Sequence, residues 1–236
     1  VVGALESRLA AVAVAVAAAP RRPRLLGVES LFPLVASGQW LPDMRVRAGA
    51  VDALGDAPGC AARVLEVAEL EASAADVVGF CCCGRSAAGA VEEARAHLLG
   101  RAGVWALPAL ARRDARGRTQ FYALDHDTFS RPGPRLVDGI ETLAALLHPE
   151  LLPPQLRADA TRRVLQLVVD EEGEAGVPRR WHFEPVHEEP QRAAPAEAVP
   201  MPRSAASLVC TDDGTLVLFG GEAGMEVSRE ERGMGD

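Results

Sequence analysis

The sequence predicts an α/β fold in which helices wind over both faces of a mostly parallel sheet. Three observations predict it. Apolar runs at 24–28, 76–82 and 119–124 have the length and composition of buried strands. Longer segments with helical character lie between and after them. Pro- and Gly-containing breaks, among them Pro20, GDAPGC at 55–60 and Gly84, separate the two kinds.

Residues 4–19 are Ala, Val and Leu behind a charged start and stop at Pro20, which predicts a helix. The apolar run Leu9 to Ala19 is too short to span a bilayer. It resembles the hydrophobic part of a signal peptide, but Glu6 lies just upstream and a basic start is missing, so helix is the stronger reading. RLLGV at 24–28 follows a Pro/Arg turn and reads as the first strand. Helix is expected at 41–54, begun near Pro42–Asp43, and again over VLEVAELEAS at 64–73. DVVGFCC at 76–82 is the second strand. AAGAVEEARAHLL at 87–99 is amphipathic and helical. TQFYAL at 119–124 is the third strand. A long helix should cover 132–147, with Pro early and His148–Pro149 at its end, and Ser130 is a candidate N-cap for it.

Beyond residue 150 the character changes. Residues 151–203, with DEEGEAG and many Pro and Glu after 170, read as a linker that is partly disordered. Two short apolar runs, Ala205 to Cys210 and Thr215 to Phe219, flank Asp212–Asp213–Gly214 and predict a hairpin. Residues 222–236 read as a disordered tail. The chain starts at Val1 rather than Met, which suggests a fragment or a processed product.

Composition excludes some functions. All 25 basic residues are Arg, Asn is absent and Ile140 is the lone Ile, a pattern that GC-rich coding explains. With a net charge of −8 and no basic stripe interleaved with aromatics, nucleic-acid binding is not expected. Five Cys, three of them adjacent at 81–83, do not form a secreted disulfide framework. The Cys81–Cys83 run with His126 could be read as a metal site, but zinc sites space their Cys by two or more residues, so small buried strand-end residues are the better reading and no metal is expected. His126 beside Asp125 or Asp127 lacks a nucleophile motif such as GxSxG, and neither a phosphate loop nor HExxH is present, so no catalytic residue is assigned.

In a parallel α/β sheet, ligands sit beyond the carboxyl ends of the strands. The loops at 29–40, 82–86 and 125–131 are therefore the candidates.

Three segments resemble one family. YALDHDTFSRPGPRLVDGIETLAALLHPEL (122–151), RPRLLGVESLFPLVASGQWLPDM (22–44) and ADVVGFCCCG (75–84) resemble, in order and spacing, the C-terminal lobe of class III solute-binding proteins of ABC importers, the cobalamin branch most closely. The resemblance implies two Rossmann-like lobes joined by a long helix, here 1–19, with 20–150 as the C-terminal lobe. It implies non-enzymatic binding of a cobalamin-like ligand or a ferric chelate in the inter-lobe cleft, no other cofactor, a permease as partner and a periplasmic or other extracytoplasmic location.

By the same resemblance Asp127 and Arg131 match acidic and basic ligand-contacting positions, and Arg offers a fixed fork of donors to an amide-rich ligand. The alternative is that the two pair across the loop or cap the helix. Trp40 and Phe129 are candidates for an apolar wall, with core packing as the alternative for Trp40. Glu29 stands where the family has Glu-Trp, and Ser30 replaces that Trp. Glu66 or Glu69 would dock on the transporter, although the family's preceding Trp is missing. An exposed helix face is the simpler reading of both.

Trp181, a Pro/Glu-rich spacer and PMPRSAASLVCTDDGTLVLFGGE (200–222) resemble the opening of a kelch repeat. One partial copy at 204–221 cannot bury its own faces. It implies a second hypothesis: a protein-interaction scaffold, in a eukaryotic multidomain setting, with a vestigial binding lobe. An enzyme using Cys or His is the third.

Overall fold

A computed structural model describes residues 2–174 and 177–186, and the backbone of strands 203–210 and 216–223. It divides into two units, 1–190 and 191–236.

The first unit opens with α1, Val2–Ala17, which buries Val12 and Val16 one turn apart. Strand β1, Arg24–Leu31, turns at Phe32–Pro33 into β2, Leu34–Ala36, its antiparallel neighbour. Helix α2 covers Leu41–Arg47, with Pro42 in its first turn. It ends earlier than the expected residue 54 because Gly49 takes a positive φ of 88° and the chain re-enters the sheet as β3, Val51–Asp52.

Strand β4, Arg63–Val64, and helix α3, Val67–Ala72, replace the single helix expected at 64–73. Then come β5, Val77–Phe80, and α4, Ala87–His97, whose N-cap Ser86 accepts a bond from the Gly89 amide. Two short helices follow, α5 at Ala102–Trp105 and α6 at Pro108–Ala111, before β6, Arg118–Ala123. The stretch after β6 holds α7, His126–Phe129, and then α8, Arg135–Leu147. Ser130 closes α7 rather than capping α8: the cap in this stretch is Asp125, whose carboxylate accepts from the Thr128 amide.

The expected linker does not begin at 151. Residues 154–161 form α9, 165–171 form β7 and 180–185 form β8. The new strands extend the sheet, which runs β4-β2-β1-β5-β6-β7-β8. β1, β5 and β6 are parallel, β3 runs parallel beside the first half of β1, and the other pairs are antiparallel. Residues 187–202, the rest of that linker, and 224–236 lie outside the described residues.

Side-chain alternation sorts the strands between two cores. On one face Leu26, Val28, Val78, Phe80, Phe121 and Ala123 meet α4 and the Trp105–Leu110 segment. On the other face Leu25, Val77, Tyr122 and Leu124 meet α1, α2 and α8. Cys81 and Cys82 fall on opposite faces, as adjacent residues leaving a strand must. The result is a helix–sheet–helix sandwich that presents the carboxyl ends of β1, β5 and β6 together.

In the second unit, β9, Arg203–Cys210, and β10, Leu216–Ala223, pair antiparallel, with Cys210 opposite Leu216.

Candidate functional site

The three loops expected at the strand ends are clipped to one another. The ladder between β1 and β5 continues past β5, where the Cys81 amide bonds to Val28 O at 2.8 Å and the Cys83 amide to Glu29 O at 3.0 Å. The His126 amide bonds to Arg85 O at 3.3 Å, and Cys81 Sγ lies 3.2 Å from Ser130 Oγ. Trp40 closes the set by donating its indole N–H to Phe129 O at 2.8 Å. Loops 29–40, 82–86 and 125–131 thus form one mouth.

Gly38 makes the first loop possible. A Cβ there would sit 2.2 Å from the Ala62 amide nitrogen, so only Gly lets 60–62 pack against it. That approach is fixed by the Gln39 amide bonding to Cys60 O at 2.6 Å. Beneath the mouth, the buried Arg45 pairs with Asp52 at 2.5 Å and donates to Ser37 Oγ at 2.6 Å, locking α2 to the sheet.

The electrostatics are those of a partly dry rim. Burial pushes the Glu29 carboxyl above the usual carboxylate range, against a hydrogen bond from the Gly38 backbone. Burial lowers the proton affinity of His126, helped by the Arg131 guanidinium and opposed by Asp127 and Asp125. The Cys81 thiol is pushed up to about 12 by burial, and Cys82 and Cys83 also move up, so none of the three is a ready thiolate. The described residues contain no cluster of three His, Cys, Asp or Glu able to hold a metal.

Glu29 and Trp40 stand half-buried at the mouth. Asp127 and Arg131 pair with each other at 2.9 Å across one turn, an alternative the sequence left open. Phe129 differs from expectation: its side chain is 2% exposed and belongs to the core, packing towards Gly139, while its carbonyl holds Trp40. Glu66 and Glu69 form a capping box on α3, and Glu69 also meets Arg63 at 3.0 Å. The Glu66 amide and Arg63 hold Glu69 below its ordinary carboxylate range. Both residues are exposed.

Sequence reasoning assigned no site role to Ser130, His126 or Cys83. The signal for His126 was its place directly after a strand end. Its Nδ1 is buried without a hydrogen-bond partner. No helix among the described residues is long and apolar enough to cross a membrane.

No family model matches the chain, and no curated protein matches it. Solved structures do. The ABC transporter substrate-binding protein from Listeria monocytogenes EGD-e superposes with a TM-score of 0.53 at 14% identity, over 62% of this chain and 55% of that one. The TroA-like periplasmic binding protein FepB from Veillonella parvula gives 0.51 at 14% identity, over 66% and 50%. The apo form of the periplasmic heme-binding protein RhuT from Roseiflexus sp. RS-1 gives 0.50 at 19% identity, over 63% and 54%. The chain spans about half the length of each. The kelch-like resemblance of the tail has no support among these matches. At such identities the likeness establishes the fold alone: this α/β lobe shares its fold with about half of the TroA-like periplasmic binding protein FepB.

Proposed function

We propose that this chain forms one wall of a ligand cleft in the solute-binding component of an ABC importer. The ligand class is a large, partly apolar chelate: a corrinoid, a haem or a ferric siderophore. The observation that carries the reading is the clipped mouth at the carboxyl ends of β1, β5 and β6, where open α/β sheets bind ligands. The RhuT likeness adds a haem binder among proteins of this architecture.

Binding in this reading is non-covalent and involves no catalysis. Trp40, its ring direction set by the bond to Phe129 O, supplies apolar surface. Arg131 and Asp127 offer donors and acceptors to polar substituents, with the ion pair between them keeping both side chains in place before ligand arrives. Glu29 accepts from the ligand's edge. A facing lobe, as the family resemblance implies, supplies the second wall and closes over the ligand. Glu66 and Glu69, exposed at the start of α3, face the permease, and the location is extracytoplasmic.

The test is a titration of the two-lobed protein with haem, cobalamin and a ferric hydroxamate, read by tryptophan fluorescence and ligand absorbance. Saturable binding of one of them, weakened about tenfold by Arg131→Ala, is the expected result. Absence of binding to all three would end the proposal. Binding unchanged in the Arg131 variant would move the site elsewhere on the lobe.

A further inference from the structure

The sheet has two edges. One ends in β4, two residues long, and the other in β8, six residues long. Among the described residues nothing pairs with the outer edge of β8. The Val186 amide bonds to Val164 O, so strand alternation turns the amides and carbonyls of Glu184 and His182 towards β7 and those of Trp181 and Phe183 outward. Pro185 also faces outward and has no N–H to offer, as suits an edge. Between Trp181 and Glu184 the strand has no proline, bulge or inward-pointing charge, the devices that keep an edge from pairing.

The side chains of β8 fit a second copy of the same strand. Arg180, His182 and Glu184 lie on one face, Trp181 and Phe183 on the other. In an antiparallel pair of β8 strands centred on His182, Arg180 stands opposite the partner's Glu184. Trp181 stands opposite the partner's Phe183, and both turn their amides and carbonyls into the shared edge, so their backbones can exchange both bonds. Centring on Phe183 instead would set Pro185 opposite Trp181 and lose bonds there. Centring on Trp181 would set Arg180 opposite His182. Neither charge is firmly committed within the chain: Arg180 reaches Asp170 only at 3.6 Å and Glu184 reaches His182 only at 3.7 Å. On the other face the aromatic layer from Trp105 through Trp181 to Phe183 would continue across the axis.

We infer that β8 is a self-pairing edge, through which two copies of this chain join their sheets about a two-fold axis at His182. The inference does not rest on the function proposed for the strand-end mouth. A six-residue edge makes a small interface, so the association is weak and concentration-dependent.

Sedimentation velocity of the 236-residue chain between about 1 and 200 µM tests it. A reversible monomer–dimer equilibrium is expected. Arg180→Glu and Glu184→Arg each set like charges opposite one another on both sides of the axis, and each should weaken self-association about tenfold. Mixing the two variants in equal amounts brings opposite charges together again and should restore the dimer, as should both changes in one chain. Circular dichroism and the melting temperature confirm that the variants are folded. Should a charge reversal unfold the chain, Arg180→Gln and Glu184→Gln are read instead, each with a smaller loss. A monomer at every concentration overturns the inference. So does a dimer that the folded single variants leave unchanged, and so does a loss that mixing fails to repair.

Discussion

The indole N–H of Trp40 bonds to the backbone carbonyl of Phe129 at 2.8 Å, across 89 residues of sequence. This bond ties the loop before α2 to α7, and thereby two of the three loops at the mouth. It also explains how Phe129 contributes with its ring in the core: the buried ring anchors the backbone, and the backbone positions the exposed edge of Trp40.

Removing only this bond should loosen the mouth without collapsing the lobe. Trp40→Phe keeps an aromatic ring and deletes the donor, at an expected cost of about 1 kcal/mol. Hydrogen exchange should quicken at 126–130 while β5 and β6 stay protected. Uniform loss of protection across the sheet would show that Trp40 acts as a general core residue instead.

Glu29 predicts a pH dependence. Its carboxyl is raised above the ordinary range by burial, so the folded protein binds that proton more tightly than the unfolded chain does. The stabilising contribution is complete below the unfolded value, about 4.3, and disappears as pH rises through the higher folded value. At neutral pH the buried charge is a cost. Glu29→Gln should therefore raise the urea midpoint at pH 7 and bring no gain near pH 4. A variant less stable than the parent at pH 7 would mean that the Gly38 bond outweighs desolvation.

Arg8 secures α1 to the lobe through Glu141, which is buried, and Asp138, which is half exposed. Replacing Arg8 by Ala leaves a buried carboxylate without its counter-ion. Loss of one partner of a fully buried pair costs about 3–5 kcal/mol. Arg8 is itself more than one-third exposed, so water screens the pair and a loss of about 2 kcal/mol is expected. Combining Arg8→Ala with Glu141→Gln should recover much of that loss in chemical denaturation. Additive destabilisation would show that the pair is not coupled.

The strands and helices at 24–31, 77–80, 87–97, 118–123 and 135–147 were legible because their apolar residues recur with a clear period or run continuously. The breaks were legible where the residues forced them, as at Pro20. The two-residue strands β3 and β4 were not, because pairing with β1 and β2 rather than local propensity makes them strands. The candidate site was legible as a place, since ligands of open α/β sheets sit beyond strand ends, but not as an arrangement. Phe129 and Trp40 look equivalent in sequence, yet packing buries one ring and leaves the other half exposed. The pairing of Asp127 with Arg131 was one of the readings, and only geometry chose it. The cavity that Arg8 lines was invisible because it combines α1 with helices more than 100 residues away.

The largest correction concerns 151–186, and it is directly testable. Pro and Glu around 170–190 masked an alternation in β8, where Trp181 and Phe183 pack on the core and His182 meets Asp170 at 3.0 Å. Trp181 lies 6.2 Å from Trp105 and receives Arg95 over its ring at 4.6 Å. On β7, Leu167 is fully buried, and its carbonyl accepts from the Thr119 hydroxyl on β6 at 2.8 Å. A residue in a linker would tolerate truncation. A residue so placed in the core should not: Leu167→Ala is expected to cost about 2–5 kcal/mol, the range for a large-to-small change in a packed interior. A chain ending at 150 would expose the edge of β6 and the apolar surface that β7 covers, so it should aggregate or melt well below the longer chain. If Leu167→Ala melts with the parent, and the shortened chain is equally stable, then β7 and β8 are not part of the lobe's cooperative unit.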